Sequence, residues 1–233
     1  MEITILHGQN HKGSTYNITA MLKERLAGGN TIVHEYFMPK DGPAFCAGCF
    51  KCILKGEEYC PQADKVQGIL ASILHSEIII VDSPTYCFEM TGQLKTLFDH
   101  FAYLWLSHRP KKEMFSKIGI VISTAAGAGA KRVAKSMAKQ LFYWGVPVVH
   151  SVHLSVNAAS WDSIPRKIKH KIVQKVELLS KKVKNQAGNV KCGIKTKIVF
   201  NIMRKMQKSN NWSLIDKNYW SENGWLEKSK PWK

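Results

Sequence analysis

The chain has 233 residues, 45% of them hydrophobic and 22% charged, and a formal net charge of +17. This length suits one domain with an extension and is sufficient for a sizeable core. No run of about 18 or more apolar residues occurs, as a membrane-spanning helix would require.

The first residues, MEITILHG, form a strand-like run without the basic and apolar regions of a signal peptide. We therefore expect a cytoplasmic protein in a reducing compartment, where structural disulfides are rare.

The positive charge is concentrated in the C-terminal part of the chain. Residues 1–150 contain 16 Lys and Arg against 12 Asp and Glu, whereas residues 151–233 contain 18 against 5. Such a basic surface attracts anions, although a solvated lysine face is the simpler interpretation. No nucleic-acid-binding motif is present, so we expect no dedicated nucleic-acid binding.

Short apolar runs alternate with segments of helical periodicity in the order expected of an α/β protein. The predicted strands are Ile3–His7, Thr31–Phe37, Glu77–Asp82, Lys117–Ser123 and Val146–Val156. The predicted helices are Ser14–Ala27, Ala63–His75, Thr91–Trp105, Ala130–Trp144 and Pro165–Lys184. Such alternation is typical of a parallel sheet covered on both faces. Five units predict a flavodoxin-like three-layer doubly wound sandwich with strand order 2-1-3-4-5.

In this fold class ligands bind at the carboxyl ends of the strands. The loop after the first strand, GQNHKGST, opens a helix but lacks the P-loop and GxGxxG spacings. Backbone N–H groups at a helix N-terminus hold a phosphate, and the hydroxyls of Ser14 and Thr15 add donors. Alternatively, Ser14 is only an N-cap and the rest of the loop is a turn.

Two further strand-end loops have compositions suited to a ligand. In SPTYCFEMTGQLK, the run from Tyr86 to Met90 places aromatic and sulfur side chains where a planar ring could pack. The simpler alternative is that Tyr86 and Phe88 anchor the loop to the core. In STAAGAGAKR, Gly127 and Gly129 let the backbone approach a ligand, as in any tight βα turn. Together the three loops indicate a flat ring that carries a phosphate.

Four of the six cysteines follow the spacing C-x2-C-x2-C-x7-C, at Cys46, Cys49, Cys52 and Cys60. One interpretation is a [4Fe-4S] iron–sulfur cluster, because the first three have ferredoxin spacing and Pro61 follows the fourth. A second is a zinc site, although such sites more often pair two arms across a longer gap. A third is a structural loop in which free cysteines pack as small hydrophobic residues.

Residues 187–233 form a basic, Trp-rich extension to a predicted domain of residues 1–186. Apolar residues at Ile194, Ile198, Ile202 and Met206 predict an amphipathic helix. Such a helix can lie on an anionic membrane or a partner, but we expect it to dock on its own domain. The last 24 residues contain four tryptophans, so we expect them to pack across a neighbouring subunit or beside the active site.

The three strand-end loops, GQNHKGST, SPTYCFEMTGQLKTLFDH and STAAGAGA, resemble those of NAD(P)H-dependent FMN reductases and iron–sulfur flavoproteins. The resemblance covers residues 1–156, and it departs from the family pattern at Gln9, Asn10 and Cys87. Around the FMN phosphate it implies Gln9, His11, Lys12, Ser14, Thr15 and Asn17. Along the isoalloxazine ring it implies Pro84, Thr85, Tyr86, Cys87, Phe88, Met90, Thr124, Ala125, Ala126 and Gly127.

The resemblance further implies an FMN-dependent oxidoreductase that passes electrons from NAD(P)H to a quinone, a nitro or azo compound, or a flavin. It implies a small-molecule electron acceptor and a homodimer or larger assembly. One alternative is an iron–sulfur flavoprotein that moves electrons between a cluster at the four cysteines and FMN. Another is a non-catalytic binding protein that uses its basic C-terminal region. No catalytic side chain is predicted, because FMN itself carries the chemistry.

Overall fold

The fold is built on a five-stranded parallel sheet. The computed structural model describes all residues from Met1 to Lys233. Strands β1 to β5 span Glu2–His7, Ile32–Phe37, Ile78–Pro84, Ile118–Ala125 and Val148–Ser155. Their order in the sheet is β2-β1-β3-β4-β5, and every neighbouring pair is parallel. The predicted flavodoxin-like fold and its strand order are therefore confirmed.

Eight α-helices accompany the sheet. Helices α1 to α8 span Ser14–Leu26, Lys51–Leu54, Ala63–His75, Gly92–His100, Ala130–Tyr143, Arg166–Gln186, Ile194–Lys208 and Leu214–Glu222. Helix α3 has the bounds that the sequence predicts, whereas α4 ends five residues before Trp105 and continues as a short 3-10 turn over Ala102–Leu104. None of the helices combines the length and the apolar character needed to cross a bilayer.

Each face of the sheet has its own hydrophobic core, because successive strand residues point to opposite faces. On one face, Leu6 and Val81 pack among residues of α3, α4 and α5. On the other, Ile5 and Ile80 pack among residues of α1 and α6. Every residue of β4 is buried, which explains why the central strands are apolar without alternation.

A third core lies outside the sheet and contains much of the C-terminal segment. Phe200 stacks on Trp220 with ring centroids 4.8 Å apart and meets Phe115 edge-on at 5.8 Å. Trp225 completes the cluster, and both tryptophans are almost fully buried. These side chains therefore pack within their own chain.

Helix α7 is the predicted amphipathic helix, but it presents a different face to its own domain. The apolar residues that the sequence analysis predicts to dock, Ile194, Ile198, Ile202 and Met206, are all exposed. The helix instead buries Phe200, which enters the third core with Val199 and Met203 beside it. The expectation that the first set docks on the domain is wrong, because α7 carries two apolar faces and the aromatic cluster selects the one with Phe200.

Candidate functional site

A pocket of about 260 Å³ opens at the carboxyl edge of the sheet, where β1, β3, β4 and β5 end. Strands β1 and β3 are neighbours there, and the chain leaves them toward opposite ends of the strand order. Crevices at such a reversal point are where open α/β sheets bind ligands. The pocket therefore lies where the strand order predicts a ligand.

The start of α1 offers free backbone donors to this pocket. The N-cap residue is Gly13, so no side chain bonds to the first turn, and Ser14 is not the N-cap. The N–H groups of Ser14, Thr15 and Tyr16 donate to no acceptor in the chain, whereas Asn17 N–H donates to the Gly13 carbonyl oxygen at 3.1 Å. Free N–H groups and the helix dipole together make this end of α1 suitable for an anion.

Hydroxyl groups tie the loops of the pocket to one another. Thr15 Oγ1 and Thr124 Oγ1 are 2.6 Å apart, which joins the loop after β1 to the end of β4. The Thr91 hydroxyl donates to the Gly8 carbonyl oxygen, which joins the loop after β3 to the loop after β1. The loops are therefore held in fixed relative positions before any ligand binds.

A tight turn follows the end of β3 and spans residues 86–89, with two residues between its hydrogen-bonded ends. We name it the rim turn. Tyr86 and Glu89 exchange backbone hydrogen bonds of 3.0 and 2.9 Å. Between them Cys87 and Phe88 have φ values of 50° and 64°, a left-handed conformation that is costly for residues with side chains. Their N–H groups donate to no atom of the chain. Strained backbone with free donors is common where proteins hold ligands.

The two aromatic side chains of the rim turn face outward. Tyr86 is 50% exposed and Phe88 is 58% exposed, so they do not anchor the loop to the core. Gly129 lies against this turn, since a Cβ atom built there would approach Phe88 Cδ1 to 3.0 Å and Thr85 Cγ2 to 2.9 Å. The glycine therefore lets the loop after β4 approach the rim turn closely.

A buried charged network centred on His7 lies beside the pocket. Its Nδ1 is 2.7 Å from Asp82 Oδ2, and its Nε2 is 3.1 Å from Glu35 Oε1. Each ring nitrogen of His7 therefore faces a carboxylate oxygen, an arrangement that favours the doubly protonated ring. Burial by itself lowers the pKa of His7, but the hydrogen bonds and charges of Asp82 and Glu35 raise it above the ordinary value. Asp82 also accepts a hydrogen bond from Thr19 and lines the pocket.

Most of the residues implied by the resemblance line this pocket. They are Gln9, His11, Ser14, Thr15, Pro84, Thr85, Tyr86, Thr124, Ala125 and Ala126. Those that do not line it are Lys12, Asn17, Cys87, Phe88, Met90 and Gly127. Asn17 bonds back to the Gly13 carbonyl oxygen, and Met90 is buried in the core.

Six lining residues lie outside the set that the resemblance implies: Gly13, Tyr16, Asp82, Val156, Ala158 and Ala159. Half of them come from the loop after β5, which runs along the same edge of the sheet. Asn157 N–H donates to the Ala126 carbonyl oxygen at 2.9 Å and so ties this loop to the one after β4. The run of small residues after the fifth predicted strand was the available signal, since all parallel strands end at one edge.

The four clustered cysteines are free thiols on the connection between β2 and α3. Cys46 and Cys49 are exposed, and Cys52 and Cys60 are half-buried. Burial raises the pKa of the Cys52 thiol, and the nearby thiols of Cys60, Cys46 and Cys49 raise it further. No group of three or more His, Cys, Asp or Glu side chains is arranged to hold a metal ion. The thiols are therefore neighbours, but their arrangement in this structure is not a metal-ligand set.

Arg109 fastens the cysteine segment to the C-terminal extension. This buried guanidinium donates to Asp216 of α8, to Glu57 and to the carbonyl oxygens of Cys52 and Ile53. Its partners are at least 52 residues away along the chain, so no local pattern marks Arg109 in the sequence. The residue is therefore a structural clamp that sequence reasoning missed.

Comparisons with known proteins agree with this geometry. A family model described as NADPH-dependent FMN reductase matches residues 1–160. An iron–sulfur flavoprotein of Archaeoglobus fulgidus is 33% identical over 141 residues, which are 60% of this chain and 58% of that protein. The chain spans less than two thirds of the length of the curated relatives that it matches.

Solved structures of low sequence identity share the fold. An NAD(P)H:quinone oxidoreductase from Methanothermobacter marburgensis superposes with a TM-score of 0.61 at 14% identity, covering 79% of this chain and 97% of that one. An FMN-dependent NADH-azoreductase from Bacillus anthracis, in complex with FMN, superposes with a TM-score of 0.59 at 12% identity, covering 78% and 99%. With the family match over residues 1–160 and the loops converging on one pocket, this chain belongs to the NADPH-dependent FMN reductase family.

Proposed function

We propose that the chain binds FMN in this pocket and transfers electrons from NAD(P)H to a small-molecule acceptor such as a quinone, a nitro or azo compound, or a flavin. The observation that carries the proposal is the set of three unpaired N–H groups at the start of α1, in a pocket shared with the loops after β3 and β4. The family model and the names of the structural neighbours support the same chemistry.

The residues present suit FMN. The N–H groups of Ser14, Thr15 and Tyr16 provide donors for a phosphate. Tyr86 of the rim turn lines the pocket, and the adjoining residues Cys87 and Phe88, which do not line it, have free backbone donors next to it. FMN, when bound, supplies hydride acceptance from a nicotinamide and onward electron transfer.

The chain's own residues orient and polarise such a ligand. Donors held in place by strained backbone stabilise negative charge on a ring edge without reorganising when that charge develops. The Thr15–Thr124 and Thr91–Gly8 hydrogen bonds keep the phosphate end and the ring end of the pocket at a fixed separation. The protein therefore contributes position and electrostatics, and no side chain has to exchange a proton.

The test compares FMN with riboflavin, which lacks the phosphate. We expect FMN to bind about 100-fold more tightly, which corresponds to about 2.7 kcal/mol. Ser14→Asp places a carboxylate at the start of α1 and should weaken FMN binding while leaving riboflavin binding unchanged. Ser163→Asp, at an exposed serine before α6, is the matched control. Equal affinity for both flavins, or no binding of either, would contradict the proposal.

Activity is tested on the FMN-loaded chain. Oxidation of NADH or NADPH should depend on added FMN and on an acceptor, and comparing a quinone, an azo dye and free flavin would identify the acceptor class. If the chain binds FMN but oxidises neither nicotinamide, the binding proposal stands and the catalytic one fails.

A second candidate function is electron transfer between an iron–sulfur cluster and FMN. Two observations favour it: the four thiols lie close enough to raise the pKa of Cys52, and curated relatives are named iron–sulfur flavoproteins. The exposed segment around Cys46 and Cys49 has no regular secondary structure, and it would have to rearrange to complete a ligand set. Iron and acid-labile sulfide assays on protein purified without oxygen test this candidate. About four irons per chain would support it, and iron-free, flavin-containing protein would contradict it.

We also propose that the chain forms a homodimer or a larger assembly. The cysteine segment exposes large apolar side chains at Phe45, Phe50, Leu54 and Tyr59. Such a concentration of exposed apolar surface is typical of a protein interface. Light scattering of the purified chain tests this, with Phe45→Ser and Phe50→Ser expected to reduce the molecular mass.

A further inference from the structure

Helix α7 leaves one apolar stripe uncovered. Ile194, Ile198, Ile202 and Met206 are 77%, 55%, 49% and 55% exposed. Residues four apart lie above one another on a helix, so the four side chains form a continuous line. Immediately beyond the helix, Trp212 and Leu214 are 62% and 66% exposed. We name these six residues the α7 face.

The chain segment that carries the α7 face is strongly basic. Residues 178–215 contain nine Lys and Arg and no Asp or Glu. Viewed down the helix axis at about 100° per residue, Lys195 and Lys205 point within the arc that the four apolar residues cover. Lys195 lies at the start of the helix beside Ile194, and Lys205 lies near its end beside Met206. Both lysines are exposed. The face therefore combines aliphatic side chains with exposed ammonium groups at both ends of the helix.

A neighbouring cavity extends this basic surface. It has a volume of about 770 Å³ and lies between α5 and α7, with Lys195 and Val199 on the α7 side. Its α5 side carries Arg132, Lys135 and Lys139, and Glu89 of the rim turn, which pairs with Arg132, also lines it. The Lys195 ammonium group lies 4.6 Å from the centre of the Phe142 ring, so its aliphatic stem runs along apolar surface.

The charge pattern decides which occupant suits the α7 face. A second copy packed symmetrically on this face would bring Lys195 and Lys205 toward the same lysines of its partner, which is unfavourable. An anionic bilayer offers phosphate groups to the lysines and acyl chains to the isoleucines, and lysine stems can reach from one to the other. Tryptophan is also a preferred residue at the lipid–water boundary.

We propose that the α7 face docks on anionic membrane surfaces, with α7 lying in the plane of the interface. The apolar stripe enters the boundary between headgroups and acyl chains, and the lysines bind the headgroups. This proposal concerns the C-terminal extension and does not depend on flavin binding or on catalysis.

The test is flotation of the full-length chain with lipid vesicles. We expect binding to phosphatidylcholine vesicles that contain about 30 mol% phosphatidylglycerol, little binding to pure phosphatidylcholine, and weaker binding when salt rises from about 0.1 M to about 0.5 M. The double variant Ile198→Glu/Ile202→Glu should bind at least about tenfold more weakly. Leu178→Glu is the matched control, because Leu178 is a single exposed leucine on α6, and it should bind like wild type.

A second double variant, Lys195→Glu/Lys205→Glu, should lose the preference for anionic vesicles. All four substituted side chains are exposed, and unchanged thermal midpoints would confirm that the variants fold. Failure of wild type to float with anionic vesicles at low salt would overturn the proposal. So would undiminished binding of Ile198→Glu/Ile202→Glu, since adsorption would then need only lysines. A loss of oligomer mass in that variant, without vesicle binding by wild type, would assign the α7 face to a second copy instead.

Discussion

Replacing Arg109 with methionine removes the guanidinium that joins the cysteine segment to α8. The Asp216 side chain that it contacts is only 1% exposed, so the substitution leaves a buried carboxylate with one partner fewer. That carboxylate keeps a contact with His108, whose Nδ1 lies 2.8 Å from Asp216 Oδ2. Glu57 keeps Lys111, at 2.8 Å.

The magnitude follows from what remains buried. Removing one partner of a buried ion pair costs about 3–5 kcal/mol, and the surviving His108 contact places this case near 3 kcal/mol. The carbonyl oxygens of Cys52 and Ile53 also lose their donor, which adds about 1 kcal/mol. We therefore expect Arg109→Met to lower the free energy of unfolding by about 4 kcal/mol. Arg109→Lys keeps the charge but not the planar set of donors, so we expect about half of that loss.

Urea unfolding at neutral pH measures this loss, followed by tryptophan fluorescence and by far-ultraviolet circular dichroism. Trp220 and Trp225 are buried in the third core, so their emission reports on the C-terminal extension. Arg166→Met is the control, because Arg166 is exposed at the start of α6, and it should change stability by less than about 0.5 kcal/mol. The reasoning is refuted if Arg109→Met loses no more stability than this control.

Three further predictions concern titration and the rim turn. His7→Gln should remove a pH dependence: the imidazolium stabilises the fold fully below its ordinary pKa of 6.5, and wild type loses this as pH rises through the raised pKa. The measurement is the urea midpoint of unfolding as a function of pH across that range. A midpoint that falls more with pH in the variant than in wild type would argue against the network. Burial lowers the pKa of Lys117 to about 8 from 10.5, so between these values the unfolded chain binds more protons and stability rises with pH; in Lys117→Met this rise should be absent from the unfolding curves. Gly129 has φ +100°, and a Cβ atom built there would lie 3.0 Å from Phe88. Gly129→Val should therefore displace the rim turn and weaken FMN binding at least about tenfold. The control is Gly188→Val, at a glycine with φ +77° and open space around it, which should leave FMN affinity unchanged.

Much of the fold is predictable because its signals are local. Helix α3 starts at Ala63 and ends at His75 as the periodicity predicts, since its apolar positions recur with the helical period. The buried strands β3 and β4 are marked by uninterrupted apolar runs. The order of strands and helices then determines which loops meet, so most of the pocket follows from topology.

The resemblance could not supply every residue of the pocket. Asp82 directly follows the apolar run of β3, and only its hydrogen bonds to His7 and Thr19 show why a carboxylate lies there. The predicted site used only the loops after β1, β3 and β4. It therefore omitted Ala158 and Ala159, although β5 ends at the same edge of the sheet. Asn17 was implied as a phosphate ligand, but its side chain bonds to the preceding turn.

Patterns of residues close together in the chain are sufficient to predict the doubly wound sheet, the strand-end loops and the amphipathic character of α7. The tertiary structure pairs residues that are distant in the chain: Arg109 contacts Asp216, which lies 107 residues away. It also decided which of the two apolar faces of α7 is buried, because only the folded chain brings Phe115 and Trp220 against Phe200. The hydrophobic effect is not directional, so an apolar pattern shows only that a helix face can be buried. The shape and charge of the neighbouring elements then decide which face is buried.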